Sequence, residues 1–349
     1  MTISALMSHM AFGVALFALS ALLTWVLMRK VRIIDHPNHR SSHRTPTPRS
    51  GGLAIVATVF IGLLTVFFVG GEARLSQGYY IGFLASALAV AAVSIYDDLH
   101  GLGFAAKLFV QTGAAVALVL SGAGLSTVSL PGIGHVNLGG WGGAVSLVWV
   151  VGLTNAFNFM DGLDGLAGGA AVISAAAFGL VAFLEGSNFI YMLSWIVAAA
   201  SLGFLVWNFP PAKIFMGDSG SQFLGFLFAA MALIAGRYDG AHVPYLVMPL
   251  LFFNFIWDTA FTLARRWKAG EPVAQAHRGH LYQLTNRMGA SHARVTLTHY
   301  GIFVAQGIGA LVFVHVHGAA RLWVFAPFVA FQTIYTLVVI SRARRAGLI

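Results

Sequence analysis

The sequence predicts an all-α, polytopic transmembrane bundle of about eleven spans, N-terminus outside and C-terminus cytoplasmic. Three observations carry this. Hydrophobic residues fill 58% of the 349 positions and charged ones only 9%, whereas a water-soluble domain carries about 25% charged residues. The mean hydropathy is +0.81. Stretches of the ~20 apolar residues that a membrane helix consumes recur along the whole chain, so a two-domain cytosolic enzyme is excluded and residues 1–349 read as one membrane domain.

The expected spans are 5–28, 53–70, 78–95, 105–121, 144–159, 165–184, 189–207, 219–236, 244–263, 295–316 and 319–340. The first has no Lys or Arg before it, and Arg29, Lys30 and Arg32 follow it at once. By the positive-inside rule its N-terminus faces out, and it reads as an anchor. Alternation then places 17 of the 20 Lys and Arg residues on one side, in or beside loops near 29–52, 96–104, 155–165, 208–219 and 264–294 and at the C-terminus. Only Arg74, Arg237 and Arg321 fall on the other. A miscounted span in the middle would destroy that asymmetry. Topology thus accounts for most of the net charge of +9, and the basic residues form no module for reading nucleic acid. The excess still favours anionic headgroups and phosphate-bearing substrates. No internal repeat is evident, which weakens an inverted-repeat transporter. There is no cysteine, leaving oxygen or imidazole as ligands for any metal.

The eleven carboxylates are the informative residues, because ionisable groups at membrane depth are costly and tend to be functional. Glu72, Glu185 and Asp239 fall in external loops, and Asp35, Asp258 and Glu271 near Arg-rich cytoplasmic segments. The remaining five, Asp97, Asp98, Asp161, Asp164 and Asp218, lie at cytoplasmic span ends in SIYDDLHG, NAFNFMDGLDGLAGG and FPPAKIFMGDSGS. Asn155, Asn158 and Asp161 recur every three residues, a polar stripe on an apolar helix, and Lys107 and Gln111 share another helix face. Lys107 reads equally as a residue snorkelling to the interface. Glycines beside both motifs allow close helix approach and exposed backbone N–H groups near a phosphate. Clustered carboxylates without thiols suit Mg²⁺, with Mn²⁺ as the alternative, held by one or two carboxylates and a substrate diphosphate. A cation-coupled transporter is a competing class, but it requires its carboxylates near the midplane. A scaffold that binds a lipid carrier is a third.

These motifs, with the KLFVQ that follows the Asp pair and PNHRSSHRTPTPRSGG at 37–52, resemble those of the polyprenyl-phosphate N-acetylhexosamine-1-phosphate transferases, glycosyltransferase family 4 in type. The resemblance runs in order from about residue 35 to 285. It implies a UDP-N-acetylhexosamine donor, undecaprenyl phosphate as acceptor, Mg²⁺, release of UMP, and a bacterial inner-membrane enzyme that starts a cell-surface glycan. AHRGHLYQ at 276–283 is similar to the O-antigen-initiating branch, the muramoyl-pentapeptide translocases being the alternative. Ser50 stands where that branch often has glycine.

Within the resemblance, Asp218 is the expected Mg²⁺ ligand, with a helix N-cap as its structural reading. Asp97, Asp98, Asp161 and Lys107 form the expected catalytic set, with Asp97 favoured as base. Asn155, Asn158, Asp164 and Phe215 are expected on the nucleotide side, with Ser221 near the diphosphate and Thr47 in the substrate-facing loop. His277, Arg278 and His280 are expected to meet the donor's phosphates or sugar rather than zinc, since two imidazoles complete only half a tetrahedral shell. His36, His39 and His43, interleaved with Arg40 and Arg44, read as a substrate-gating strip or as a solvated basic loop. Whether two copies pair is left open by the sequence.

Overall fold

The computed structural model describes residues 2–31, 33–37, 42, 45–71, 77–236, 243–275 and 277–349. Ten helices among them are long and apolar enough to cross a membrane. In chain order these are α1 (Ile3–Lys30), α2 (Gly51–Val69), α3 (Gln77–His100), α4 (Phe104–Leu118), α5 (Trp141–Phe159), α6 (Leu166–Leu184), α7 (Asn188–Asn208), α8 (Asp218–Ala235), α12 (His292–His315) and α13 (Ala320–Arg345), α4 running on through a π-helical turn to Ala123. Shorter helices α9 (Val247–Leu251), α10 (Phe253–Lys268) and α11 (Leu281–Arg287) lie between α8 and α12. The single span expected at 244–263 is therefore corrected: the helix breaks at Phe252, whose φ of −105° and ψ of 20° are not helical.

The broken pair still traverses the bundle. Tyr245, ahead of α9, lines a cavity with Gly236 and Arg321 at one end, while Asp258 in α10 bonds His280 at the other. That second end gathers the carboxylate motifs, and we call it the site end. Two two-stranded sheets complete the fold: β1 (Ile34–Asp35) pairs with β2 (Thr47–Pro48) at the site end, and β3 (Thr127–Leu130) with β4 (Gly134–Asn137) at the far end.

Local chemistry sets the helix ends. Thr2 caps α1 through its hydroxyl, and Arg29 and Lys30 close it where the helix dipole favours cations. Ser291 caps α12 in the same way. Helix α8 is the hub: 94% of its apolar window is buried inside the protein, against 22% for α1 and 17% for α13. Glycine permits that burial. A Cβ on Gly225 would stand 2.8 Å from the α5 backbone at Thr154, and one on Gly52 2.2 Å from Gly220 N. A short run of backbone bonds locks the start of α2 to the segment before α8: Phe215 N donates to Pro48 O at 2.7 Å, Gly51 N to Phe215 O at 3.0 Å and Gly52 N to Met216 O at 2.8 Å.

Candidate active site

Asp98 holds the start of α8. Its Oδ1 accepts from Asp218 N at 3.0 Å and its Oδ2 from Ser219 N at 2.9 Å. The first N–H groups of a helix have no partner within it, and its positive end favours a carboxylate. Gly217, with φ +71°, lets the chain pass so close that a Cβ there would lie 2.7 Å from Asp98 Oδ2. Asp98, expected in the catalytic set, thus commits both oxygens to α8 amides. Asp218 is not the cap, which falls at Gly217 with Asp98 bonding the amides behind it.

Asp97, one residue back, points elsewhere, as adjacency on a helix requires. Its Oδ1 accepts from Leu102 N and its Oδ2 from Lys107 Nζ at 2.9 Å. The same ammonium reaches Asp218 Oδ2 at 2.8 Å, so Lys107 bridges two carboxylates rather than snorkelling. Asp218 also accepts from Gln222 at 2.7 Å and from Asn158 at 3.1 Å. Behind it a polar ladder enters the bundle: Gln111 and Ser94 donate to Gln222 Oε1, and Asn155 donates to Gln111 Oε1 at 2.6 Å.

Two polar cavities meet at this cluster. One, of about 460 Å³, is lined by Arg49, Asp98, Asp164, Phe215 and His292 among others. The second, of about 310 Å³, includes Lys107, Asn155, Gln222, His277 and His280. Asn158, Asp161, Gly162, Asp218 and Gln283 belong to both. An apolar groove of about 480 Å³ between α5 and α10 shares Phe104, Asn155, Phe159, Val273 and Ala274 with the second cavity and none of its lining residues with the first. Asn155 therefore lies on the groove side and not, as expected, beside Asp164. Ser221 and Thr47 line neither polar cavity. Ser221, 1% exposed, accepts from Asn158 at 2.8 Å, and the Thr47 hydroxyl donates to Thr45 O at 2.9 Å within its own loop.

Asp161 differs from its neighbours. Its carboxylate takes no hydrogen bond from the described residues, and partial burial, then the charges of Asp218, Asp98 and Asp164, push it up to about 7. Asp164 is held below the usual carboxylate range despite its burial, by His292 Nδ1 at 3.0 Å and by Ala212 N at 3.1 Å. Among the described residues no three His, Asp or Glu side chains converge as a metal cage. The donors instead fit a hard cation shared with a substrate, which needs only one or two carboxylates: Asp161 is open, and Asp218 faces the same two cavities.

The histidine loop divides. His280 is buried, its Nδ1 3.1 Å from Asp258 Oδ1, and Asp258 also accepts from Leu281 N and Tyr282 N, so this pair anchors α11. His277 stacks on His280, accepts from Gly279 N at 3.2 Å, and is pushed down to about 4 by burial, then by His280, Arg266 and Arg265. It is neutral near pH 7, an uncharged hydrogen-bonding group. Arg278 lines neither polar cavity, contrary to expectation. Of the first-loop strip, His39, Arg40, His43 and Arg44 lie outside the described residues.

Sequence reasoning missed Arg49, whose guanidinium donates to Asp98 O at 2.7 Å, and also His292 and Gln222. It set Asp258 aside because basic residues follow it, although a carboxylate inside an apolar span was the signal in use.

The sequence model of glycosyl transferase family 4 matches residues 80–236, the stretch that carries the Asp motifs. The chain is 34% identical over 290 residues, 81% of its length and 78% of the relative's, to the probable undecaprenyl-phosphate N-acetylglucosaminyl 1-phosphate transferase of Bacillus subtilis. It is 33% identical over 322 residues, 83% and 80% of the two chains, to the decaprenyl-phosphate N-acetylglucosaminephosphotransferase of Mycobacterium leprae. The phospho-N-acetylmuramoyl-pentapeptide-transferase of Levilactobacillus brevis is 35% identical over 203 residues, 55% of this chain and 62% of that one. With its motifs, its helical bundle and these likenesses in agreement, the chain belongs to glycosyl transferase family 4, as an enzyme of the polyprenyl-phosphate N-acetylhexosamine-1-phosphate transferase type.

Proposed function

We propose that this protein transfers N-acetylhexosamine-1-phosphate from a UDP-sugar to undecaprenyl phosphate at the cytoplasmic face of a bacterial inner membrane, releasing UMP. The observation that carries the reading is the pair of polar cavities with a common wall at Asn158, Asp161 and Asp218, only one of which continues into an apolar groove. A soluble nucleotide donor suits the cavity set apart from the groove, and a lipid-borne phosphate suits the one that opens onto it. The concentration of basic residues at the site end supports the cytoplasmic orientation.

In this reading the acceptor phosphate oxygen attacks the β-phosphorus of the donor, and the bond from that phosphorus to the UMP oxygen breaks. The attacking monoester, with a second pKa of ~6, is already largely dianionic at neutral pH, so a general base contributes little. Lys107 lines the acceptor cavity, touches Asp218 on the common wall and supplies a fixed positive charge there. Asp97 orients that ammonium, and Asp98 fixes the first turn of α8 and hence Asp218. Asp161 and Asp218 would hold Mg²⁺, or Mn²⁺ in its place. The cation neutralises diphosphate charge when bound. One phosphoanhydride replaces another, so the exchange runs readily in either direction. We assign the product to the start of a surface glycan, O-antigen on the likeness of loop 276–283.

The test uses purified protein, labelled UDP-GlcNAc, UDP-GalNAc or 6-deoxy-HexNAc donors, and undecaprenyl phosphate, with Mg²⁺ or with EDTA. The reading expects labelled lipid and equimolar UMP only when donor, acceptor and cation are all present. UMP release without acceptor, or binding of label without a lipid product, sinks it. Turnover unchanged by EDTA removes the cation.

A further inference from the structure

Residues from α12 brace one wall of the donor cavity. His292, Thr296 and Tyr300 are spaced by four and so share one helix face, and each bonds the loop that links α5 to α6. His292 Nδ1 lies 3.0 Å from Asp164 Oδ1, Thr296 Oγ1 donates to Asp164 O at 2.8 Å, and the Tyr300 hydroxyl donates to Gly165 O at 2.6 Å. The fit is close, for a Cβ on Gly169 would stand 2.0 Å from the Tyr300 ring. In the same loop Gly165 N donates to Asn208 Oδ1 and Asp164 Oδ2 accepts from Ala212 N. This half of the cavity is thus set before any ligand arrives.

Of the three, only His292 lines the cavity, beside Asp164 and Phe215. Its Nδ1 is spent on Asp164, and its Nε2 has no partner among the described residues. Among the described residues five carboxylates line this cavity (Asp35, Asp98, Asp161, Asp164 and Asp218), and of those lining residues Arg49 and His292 carry basic nitrogens. Both lie outside residues 80–236.

We propose that His292 is a donor-binding residue: held by Asp164 through Nδ1, it presents Nε2 to the nucleotide half of the donor, with Phe215 as the apolar face of the same pocket. This rests on the donor reading above. The alternative, that His292 only braces the loop, separates cleanly by substitution. His292→Asn keeps an N–H near the Nδ1 position for Asp164 but has nothing at Nε2. Thr296→Val removes a different brace from the same loop, and Thr296 is fully buried and outside the cavity.

The probe is UMP, with binding measured by calorimetry on detergent-purified protein, alongside the melting temperature and KM for each substrate. We expect His292→Asn to melt like the parent yet to bind UMP about five- to tenfold more weakly, the loss of one hydrogen bond, with donor KM raised in step and acceptor KM unchanged. Thr296→Val should lower the melting temperature more than UMP affinity. Unaltered UMP binding by His292→Asn, or an equal loss in Thr296→Val, overturns the assignment. If the parent itself binds no UMP, the donor reading falls and takes this assignment with it.

Discussion

Replacing Asp98 by Asn tests whether the Asp97/Asp98 pair splits into one residue facing the chemistry and one holding the fold. Asp98 is 5% exposed, and its two oxygens accept from Asp218 N and Ser219 N. An amide offers one oxygen and turns its NH₂ toward the other N–H. One buried donor is then orphaned, at a cost of about 1 to 3 kcal/mol, and loss of the charge at a helix N-terminus adds about 0.3 to 1 kcal/mol. The total, roughly 1.3 to 4 kcal/mol, should appear as a fall of several degrees in the melting midpoint in detergent. Activity should fall too, because Asp218 rides on the loosened turn. Asp97→Asn is the control. It weakens one contact, to Lys107, while its remaining oxygen can keep the Leu102 amide, and should lower activity with a smaller change in melting. The assay pairs thermal unfolding with UMP release on the same preparations. An Asp98→Asn protein that melts like the parent while losing all turnover would refute the positioning role and return Asp98 to the reacting groups.

Gly152 lines the apolar groove with open space before its Cα, so Gly152→Phe should fill part of it, raising KM for undecaprenyl phosphate while leaving donor KM and the use of a short-chain acceptor unchanged. Equal damage with both acceptors would dissociate the groove from the lipid chain. His277 supplies a pH prediction. Its pKa in the fold is about 4, against ~6.5 when unfolded, so below about pH 6.5 the unfolded chain binds the extra proton and stability drains away as pH falls toward 4. His277→Gln should flatten the melting temperature across that window, and a parallel decline in both proteins would show that other groups control it.

Composition and span spacing made the bundle legible, because lipid imposes the same demand on every crossing. The polar stripe of Asn155 and Asn158 was legible for a similar reason, since helix periodicity fixes a shared face. What failed was choice between neighbours. Nothing in the string Asp97-Asp98 says which carboxylate turns toward α8, a matter settled by Gly217 some 120 residues later in the chain. The partnership of Asp164 with His292 spans a comparable separation, and His292 reads as one more basic residue in a basic loop. The break at Phe252 is invisible to hydropathy, which averages across it.

Helix α8 has a consequence for how the protein is made. It carries Asp218, Ser219, Ser221 and Gln222 in its first turns, and its apolar window averages a hydropathy of 1.3, half the 2.6 of α2. A single Asp at the centre of a lone helix costs about 2.5 to 3.5 kcal/mol to insert, and although Asp218 stands nearer the interface, three polar neighbours accompany it. Lipid is a poor host for this segment, whereas α3 and α5 offer hydrogen-bond partners to the side chains of Asp218, Ser221 and Gln222. Integration of α8 should therefore be a joint event, completed when the earlier helices are in place to receive it. Lesions at Asn158 or Gly225 would then surface first as chains cleared by quality-control proteases, and only afterwards as enzymes that turn over slowly.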